Sequence, residues 1–359
     1  MTHDTADLRR RFAELRAQGR RHKDAAEALG LSEGAAIAAH AGTHDGALQA
    51  VPLAGPWLGL LRALEACGPL LALTRNRSTV HEKTGVYQKL SGSEAMGLAL
   101  GADIDLRLFF GQWHAGFAVT EQAPGSTQAQ QSLQFFAPDG TAVHKVFARE
   151  ATDRAALQAV VDAHRLQGEP PAFRAAEPRA DPRDDAAIDT AGFLRGWAGM
   201  QDTHEFFGLL KDFGVERRQA FRLAEGRFTR RVGTDALQAL LQEAAFDGTP
   251  VMVFVGSPGC IQIHTGPVRR VEPLAVRGMR WLNVLDEGFN LHLREDLVAQ
   301  AWVVEKPTSD GLVTAVEAFD DQGEPMAMFF GARKPGQPEL QAWRRIVRGL
   351  PSLAAEATP

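Results

Sequence analysis

A long-range internal repeat restricts the fold of this chain more than any other feature of its sequence. Strand-like segments at 70–74 and 79–85 flank a short turn, and similar segments at 251–255 and 260–266 flank another, roughly 180 residues further on. Runs of this length and composition are typical of β-strands. The chain is therefore predicted to consist of two structurally similar halves.

The correspondence continues along both halves. The predicted strands at 104–108 and 117–119 match those at 289–293 and 302–304, and each half then closes with a hairpin. Strands joined by short turns pair antiparallel, because parallel neighbours need a crossover of about a dozen residues. Since helical segments precede and follow the strands, the predicted fold class is α+β, with two tandem repeats that each hold a large antiparallel β-sheet and flanking helices.

The segment at 168–185 is expected to separate the repeats. It is rich in Pro, Ala, Arg and Asp and has no apolar periodicity, which is typical of a solvated linker. The predicted organisation is an N-terminal repeat at 1–167, this linker, and a C-terminal repeat at 186–359.

Composition excludes several classes of protein. No apolar run approaches the roughly 20 residues that span a bilayer, so membrane insertion is not expected. Cys67 and Cys260 are the only cysteines in 359 residues, too few for a disulfide framework. The charged start of the chain is unlike a signal peptide, and a cytoplasmic location is therefore expected. A net charge of -5 argues against nucleic acid as a partner.

One segment imitates a DNA-reading helix-turn-helix. Helix, glycine turn and second helix are predicted at 24–38, but the second helix, which starts at Glu33, carries almost no side chain able to reach base edges. Gly30 also aligns with Gly214 in the repeat. We therefore interpret the segment as the leading helix pair of the first half.

The common catalytic signatures are missing from the sequence. It contains no Gly-rich phosphate loop, HExxH, CxxC or GxSxG motif. Among the 11 histidines, those on predicted strands, such as His81 and His144, are expected to be half-buried and hydrogen-bonded.

His204 is the histidine best placed to bind a metal. Asp202 and Glu205 fit a capping pair, which predicts a helix of about three turns with His204 in its first turn. A helix start disfavours imidazolium, so the ring keeps a lone pair. Phe207 and Gly208 share its face, and the glycine leaves room for a flat macrocycle. An N-terminal histidine in an ordinary core helix is the alternative.

Three arginines, Arg217, Arg218 and Arg222, follow the end of that helix. An exposed basic turn is the ordinary interpretation. The alternative is a carboxylate-binding site, because guanidinium groups form bidentate pairs with carboxylates such as those of a porphyrin.

Taken together, several blocks of this sequence resemble a family of bacterial cytoplasmic proteins that degrade or transport haemin and are encoded with haem-uptake systems. Blocks in one order over nearly the whole chain are more specific than any single motif. The blocks are RNRSTVHEKTG at 75–85, DLRLF at 105–109 with QW at 112–113, DTHEFF at 202–207, RRQAF at 217–221, PVMVFVGSPGCIQIHTG at 250–266, WLNVL at 281–285, FNLHLR at 289–294 and AWVVEKPT at 301–308.

The resemblance implies that the chain binds one haem b, as substrate or cargo, in a cleft between the halves. His204 matches the axial iron ligand of the family. Arg107 matches an arginine that reaches over the opposite haem face and is the candidate catalytic residue. Arg217 and Lys306 match basic residues that hold the propionates. Arg20 occupies the repeat position of His204, so the first half lacks the ligand.

Two functions remain compatible with the resemblance. Members of the family are described as enzymes that open the porphyrin ring and release iron, and as carriers that pass intact haem to a separate haem oxygenase. Ring opening needs a histidine on one side of the iron and, on the other, space for oxygen and a hydrogen-bond donor, for which Arg107 is the candidate. We expect haem degradation, with a haem chaperone as the alternative. The expected partners are haem and an electron donor, a haem oxygenase or the uptake transporter.

Overall fold

The structure is a computed structural model that describes residues 5–122, 125–126, 128–178, 181–276, 278–334 and 336–353. The chain forms two compact units, and each unit includes a short segment from the opposite half of the sequence. The first comprises Met1–Arg75, His81–Glu177 and Gly256–Gln262, and the second comprises Asn76–Val80, Pro178–Val255 and Ile263–Pro359. The division into 1–167, 168–185 and 186–359 stays a prediction.

Helices and strands follow one another in the same order in both halves. The first half contains α1 (Thr5–Ala17), α2 (His22–Ala28), α3 (Glu33–Ala38), α4 (Trp57–Ala63) and α5 (Arg154–Ala163), with β1 (Leu48–Leu53), β2 (Leu70–Arg75), β3 (Thr79–Gly85), β4 (Leu90–Gly92), β5 (Met96–Leu100), β6 (Asp105–Phe109), β7 (Ala115–Glu121), β8 (Gln130–Phe136) and β9 (Ala142–Ala148). The second half contains α6 (Thr190–Ala198), α7 (Glu205–Phe213), α8 (Arg217–Leu223), α9 (Ala236–Asp247) and α10 (Gln341–Gly349), with β10 (Thr229–Val232), β11 (Val251–Gly256), β12 (Cys260–Gly266), β13 (Val271–Val276), β14 (Met279–Asp286), β15 (Phe289–Arg294), β16 (Gln300–Thr308), β17 (Gly311–Phe319) and β18 (Pro325–Gly331). Single 3₁₀ turns lie at Leu64–Cys67, Phe110–Gln112, Asp185–Ala187 and Glu295–Leu297.

Strand pairing is the same in the two units. Within the described residues the strands belong to two nine-stranded sheets. In the first unit, β1-β7-β8-β9-β2 pair antiparallel in that order, and so do β4-β5-β6. In the second unit, β10-β16-β17-β18-β11 and β13-β14-β15 repeat both patterns. The predicted fold class, α+β with two tandem repeats of antiparallel sheet and flanking helices, is confirmed.

Most element boundaries lie where the sequence pattern places them. β3 and β12 coincide with the predicted runs at 79–85 and 260–266. Helix α5 begins directly after Asp153, whose side chain accepts hydrogen bonds from two backbone N–H groups of the first turn. A capping carboxylate of this kind defines a helix start.

Helices α6, α7 and α8 pack against β16 and β17 through aromatic side chains. Trp197, Phe206, Phe221 and Trp302 are each at most 2% exposed, and the rings of Trp197 and Phe206 lie 4.6 Å apart in an edge-on contact. Burial of a side chain as large as phenylalanine contributes about 1.5–3 kcal/mol. This cluster fixes α7 on the sheet and thereby determines which residues of α7 face outwards.

The supposed recognition helix of the first half lies in the core. In α3, Ala36 and Ile37 are fully buried, and the Glu33 carboxylate accepts a hydrogen bond from Lys145 Nζ at 2.6 Å. This packing explains why α3 carries few polar side chains. Among the described helices, none is long and apolar enough to cross a membrane.

The tip of the β11–β12 hairpin belongs to the first unit. The indole N–H of Trp113 donates to the Gly259 carbonyl at 2.9 Å, and the Ser257 hydroxyl donates to the Val143 carbonyl at 2.7 Å. A Cβ atom on Gly259 would lie 2.9 Å from Trp113 and from Val143. Only glycine therefore allows this close approach.

The turn between β2 and β3 belongs to the second unit. Arg77 forms an ion pair with Asp320 at 2.9 Å, and the Asn76 side-chain amide donates to the Met326 carbonyl at 2.9 Å. Each unit is thus completed by a hairpin tip from the other half of the sequence.

Candidate functional site

His204 lies directly before α7, where the sequence predicted it inside the first turn. The Asp202 carboxylate accepts the backbone N–H of His204 at 2.8 Å, so the helix begins one residue later, at Glu205. The backbone of His204 is nevertheless helical, with φ -69° and ψ -23°. Its side chain therefore keeps the expected relation to residues three and four positions further along.

The imidazole of His204 is exposed and oriented by a carboxylate. The side chain is 90% exposed, and Nδ1 lies 2.6 Å from an oxygen of Asp202. Because a carboxylate only accepts, Nδ1 carries a proton, and in the neutral ring Nε2 holds the lone pair. The backbone and side-chain hydrogen bonds from His204 lower the pKa of the Asp202 carboxyl. Histidines that bind metals are commonly oriented in this way.

Phe207 and Gly208 complete an open surface beside His204. Phe207 is 75% exposed, whereas Phe206 next to it is buried in the aromatic cluster. A Cβ atom on Gly208 would meet nothing within 4 Å. We call His204, Phe207 and Gly208 the α7 surface. It presents a nitrogen lone pair, an aromatic ring and free space on one helix face.

Arg217 and Lys306 lie around a buried carboxylate, Glu317, which the sequence did not single out. Nε and Nη2 of Arg217 each lie 2.7 Å from a Glu317 oxygen, and Lys306 Nζ lies 3.2 Å from one of them. Lys306 Nζ also lies 4.6 Å from the centre of the Phe206 ring. We call Arg217, Lys306 and Glu317 the Glu317 cluster. It packs against the inner side of α7.

Burial and charge act in opposite directions within the Glu317 cluster. Burial lowers the pKa of Lys306 to about 8, although the Glu317 carboxylate works against that shift. Burial alone would raise the pKa of Glu317, but the charges of Arg217 and Lys306 outweigh it and lower the value to about 2. At neutral pH the cluster therefore holds two cations and one anion.

Arg107 lies in the first unit, on β6. Its guanidinium forms an ion pair with Asp105, and across the sheet it faces Leu98 of β5. Met96, Leu98 and Leu100 of β5 are 55%, 36% and 44% exposed. Arg107 thus lies beside an exposed apolar strip, together with Asp105, which pairs with Leu100.

Three of the four predicted site residues, His204, Arg217 and Lys306, belong to the second unit, and Arg107 belongs to the first. Within the second unit, Phe206 connects them: it precedes the exposed Phe207 in α7 and its ring contacts both cations of the Glu317 cluster. The helix with the candidate iron ligand and the two cations therefore form one packed group.

The first half carries different charges at the corresponding positions. In the repeat alignment Glu33 corresponds to Arg217, and Glu121 corresponds to Lys306. Glu121 forms an ion pair with Arg16 at 2.7 Å. Glu33 is itself bound by Arg75 and Lys145. The first half therefore has acidic residues where the second half has Arg217 and Lys306.

The first unit contains a polar cluster around His144 that the sequence, as for the Glu317 cluster, did not clearly indicate. His144 is hydrogen-bonded as predicted, to the Thr74 hydroxyl at 2.9 Å and the Tyr87 hydroxyl at 2.7 Å, but it is fully buried instead of half-buried. Burial lowers the pKa of His144 to about 3 and raises the pKa of the Cys260 thiol to about 12. A thiol with that pKa is a poor nucleophile, so the cluster is structural.

Known proteins match both halves of the chain. Residues 30–164 and 214–350 match the family model described as Haemin-degrading HemS.ChuX domain. The hemin transport protein HmuS of Yersinia pestis is 36% identical over 354 residues, which cover 96% of this chain and 97% of HmuS.

Solved structures match over almost the same length. Holo-PhuS, a heme-binding protein from Pseudomonas aeruginosa, is 44% identical with a TM-score of 0.92, covering 98% of this chain and 100% of PhuS. ChuS, an E. coli heme oxygenase, is 34% identical with a TM-score of 0.85, covering 96% of this chain and 99% of ChuS. With both halves matched in sequence and the whole chain matched in structure, this protein belongs to the HemS/ChuX family.

Proposed function

We propose that this chain binds one haem through His204 and opens its porphyrin ring, which releases iron after haem uptake. The α7 surface is the observation that carries this proposal. Its exposed imidazole has a fixed Nδ1 proton and an available Nε2 lone pair, which suits an iron ligand. Phe207 and the space at Gly208 suit the flat face of a macrocycle.

Arg217 and Lys306 supply positive charge for the haem carboxylates in this proposal. Both lie in the same packed group as α7, and two cations against one internal carboxylate leave one excess positive charge. Guanidinium and ammonium groups in such partly or fully buried places bind carboxylates strongly.

We propose that Arg107 lies over the face of the haem opposite His204. The exposed apolar strip of β5 beside it suits contact with a porphyrin ring, and its guanidinium N–H groups are donors for oxygen chemistry. Haem would supply the iron that activates oxygen, and this chain would orient the ring and donate hydrogen bonds. An electron donor is the further partner that the reaction needs. We propose that this chain is located in the cytoplasm.

A haem chaperone is the second candidate. HmuS is named a hemin transport protein, and the 90% exposure of His204 suits a ligand that gives up its cargo. In that case the partner is a separate haem oxygenase or the uptake transporter.

Substitution of the candidate ligand tests haem binding. We expect the purified chain to bind haemin about one to one with the Soret band of histidine ligation, and His204→Ala to lose that band. His164→Ala, at the end of α5, is the control and should bind as the unaltered chain does. An unchanged spectrum in His204→Ala would show that another residue binds the iron.

Turnover of the loaded protein separates the two functions. The haem complex receives an electron donor and oxygen, with catalase present to remove free peroxide. A linear tetrapyrrole with released iron supports degradation. Stable haem that passes quickly to an added haem oxygenase supports the chaperone and rejects the enzyme.

A further inference from the structure

We propose that Glu317 is a positioning residue that holds Arg217 and Lys306 ready for a single haem carboxylate. This proposal rests on the proposed binding of haem, and it identifies Glu317 as the residue that orients the side chains of the carboxylate-binding site. Glu317 itself has no place in the sequence motifs of the resemblance. Its role is inferred from the contacts that it makes, on β17, with Lys306 of β16 and Arg217 of α8.

The hydrogen bonds of Arg217 determine which part of its guanidinium remains available. Nε and Nη2 both bind Glu317, and Nη2 also lies 3.4 Å from the sulfur of Met328. These contacts leave the Nη1 end of the planar group for a ligand. A bidentate pair of this kind holds the guanidinium in one orientation. Glu317 therefore orients the guanidinium of Arg217 so that its Nη1 end remains available for a ligand.

Lys306 depends on the same carboxylate for its charge. Its side chain is 4% exposed, and Nζ contacts Glu317 on one side and the Phe206 ring on the other. A buried ammonium group keeps its proton only next to an anion or strong acceptors. Without Glu317, two cations would face each other in the core and Lys306 would give up its proton.

Charge counting gives the number of ligand carboxylates. Arg217 and Lys306 carry two positive charges and Glu317 carries one negative charge, so the cluster has one positive charge in excess. A single carboxylate neutralises that excess. A second carboxylate would be in excess and is left to solvent.

Esters of haemin test the number of carboxylates directly on the unaltered chain. We expect haemin and its monomethyl ester to bind within about threefold of each other, and the dimethyl ester to bind ten- to a hundredfold more weakly, since a charged hydrogen bond contributes about 1.5–3 kcal/mol. A monoester as weak as the diester, or three equal affinities, overturns the assignment.

Substitution of Glu317 tests its positioning role. Glu317→Gln should reduce the preference for haemin over the dimethyl ester to less than about threefold, whereas Glu317→Asp should restore part of it. The readout is the ratio of the two affinities, which a general loss of stability does not change. An unchanged ratio in Glu317→Gln overturns the role. If that variant does not fold, Glu317→Asp decides, because its shorter side chain must lower the ratio at least twofold.

The two proposals fail in different ways. If the unaltered chain binds no haemin, or binds it independently of His204, the proposed function is wrong. If it binds haemin through His204 but does not distinguish acid from ester, only the role of Glu317 is wrong.

Discussion

Each polar side chain of the candidate site is hydrogen-bonded to a carboxylate, but the side chains differ in how exposed they remain. His204 is bound by the exposed Asp202 and remains almost fully open to solvent. Arg107 is bound by Asp105 and is 31% exposed. Removal of an axial ligand and removal of a hydrogen-bond donor should have different effects. The first removes the bond to iron, whereas the second removes one polar contact.

Removal of Arg107 should change the reaction more than the binding. Arg107→Ala should still bind haemin through His204, with an altered visible spectrum and slower ring opening, because it loses one charged hydrogen bond of about 1.5–3 kcal/mol. The measurement is turnover and absorption of the haem complex. Arg107→Lys, which keeps the charge, is the control. An alanine variant with the original spectrum and turnover would place Arg107 outside the site.

Single buried groups also determine how the protein responds to acid. The folded-state pKa of His144 is lowered to about 3 by burial, far below the usual value near 6.5, so the unfolded chain binds this proton first as the pH falls. The pKa values of Glu121 and Glu317 are both lowered to about 2, so their contribution is present above about pH 4.5 and is lost below it.

The free energy of unfolding should therefore decrease in two steps on acidification. A first loss, from His144 together with His22 and His40, whose pKa values burial also lowers, begins below about pH 6.5. A second loss, from the carboxylates, begins below about pH 4.5. Urea unfolding between pH 7 and pH 3 measures both. A free energy that stays constant from pH 7 to pH 5 would contradict the burial of a neutral His144.

At the scale of elements, α7 divides its residues between core and surface by helical periodicity. Phe206 and Leu210, four residues apart, pack inwards, while Phe207 and Gly208 point outwards. Glycine inside a helix costs about 0.5–1 kcal/mol relative to alanine. A glycine with open space in front of it has no packing reason, which fits a surface that receives a ligand.

A larger side chain at Gly208 separates stability from binding. Gly208→Leu should leave the free energy of unfolding equal or up to about 1 kcal/mol higher, because the helix gains a better helix former. It should lower haemin affinity at least tenfold, because the leucine occupies the open space beside His204. Gln242→Leu, at an exposed position of α9, is the matched control and should bind haemin normally. Equal haemin affinity in both variants would remove Gly208 from the binding surface.

At the scale of the whole molecule, the two compact units do not coincide with the two halves of the sequence. The tip of the β11–β12 hairpin completes the first unit, and the β2–β3 turn completes the second. Each tip is held by backbone carbonyls as well as side chains, as in the Trp113 bond to Gly259. The stability of each unit therefore depends on chain from both halves.

Substitution within the exchanged tip should show this dependence. Gly259→Ala should lower the free energy of unfolding by about 1–3 kcal/mol, because its Cβ atom would press against Trp113 and Val143. Gly256→Ala is the matched control on the same hairpin, since its Cβ atom would have a neighbour only at 3.9 Å. Similar chemical unfolding of the two variants would contradict the packing of this tip.

Local patterns in the sequence were sufficient for the repeat, the strands, the leading helix pairs and the place of His204 at the start of a helix. Alternation of apolar residues, turn glycines and the pair Asp202 and Glu205 act over a few residues, so they are readable without the fold. The capping pair predicts a helix that includes His204 in its first turn, whereas α7 begins at Glu205, directly after His204.

Tertiary structure alone decided the surroundings of those residues. Glu317 lies 100 residues from Arg217 along the chain, in a strand that is otherwise mostly apolar. No local pattern therefore shows that it joins two cations in the core. The exchange of hairpin tips is equally hidden, because each tip is a short turn in the sequence and only packing assigns it to a unit. Local hydrogen bonding and periodicity determine the elements, whereas burial of charge and close packing depend on which distant side chains meet.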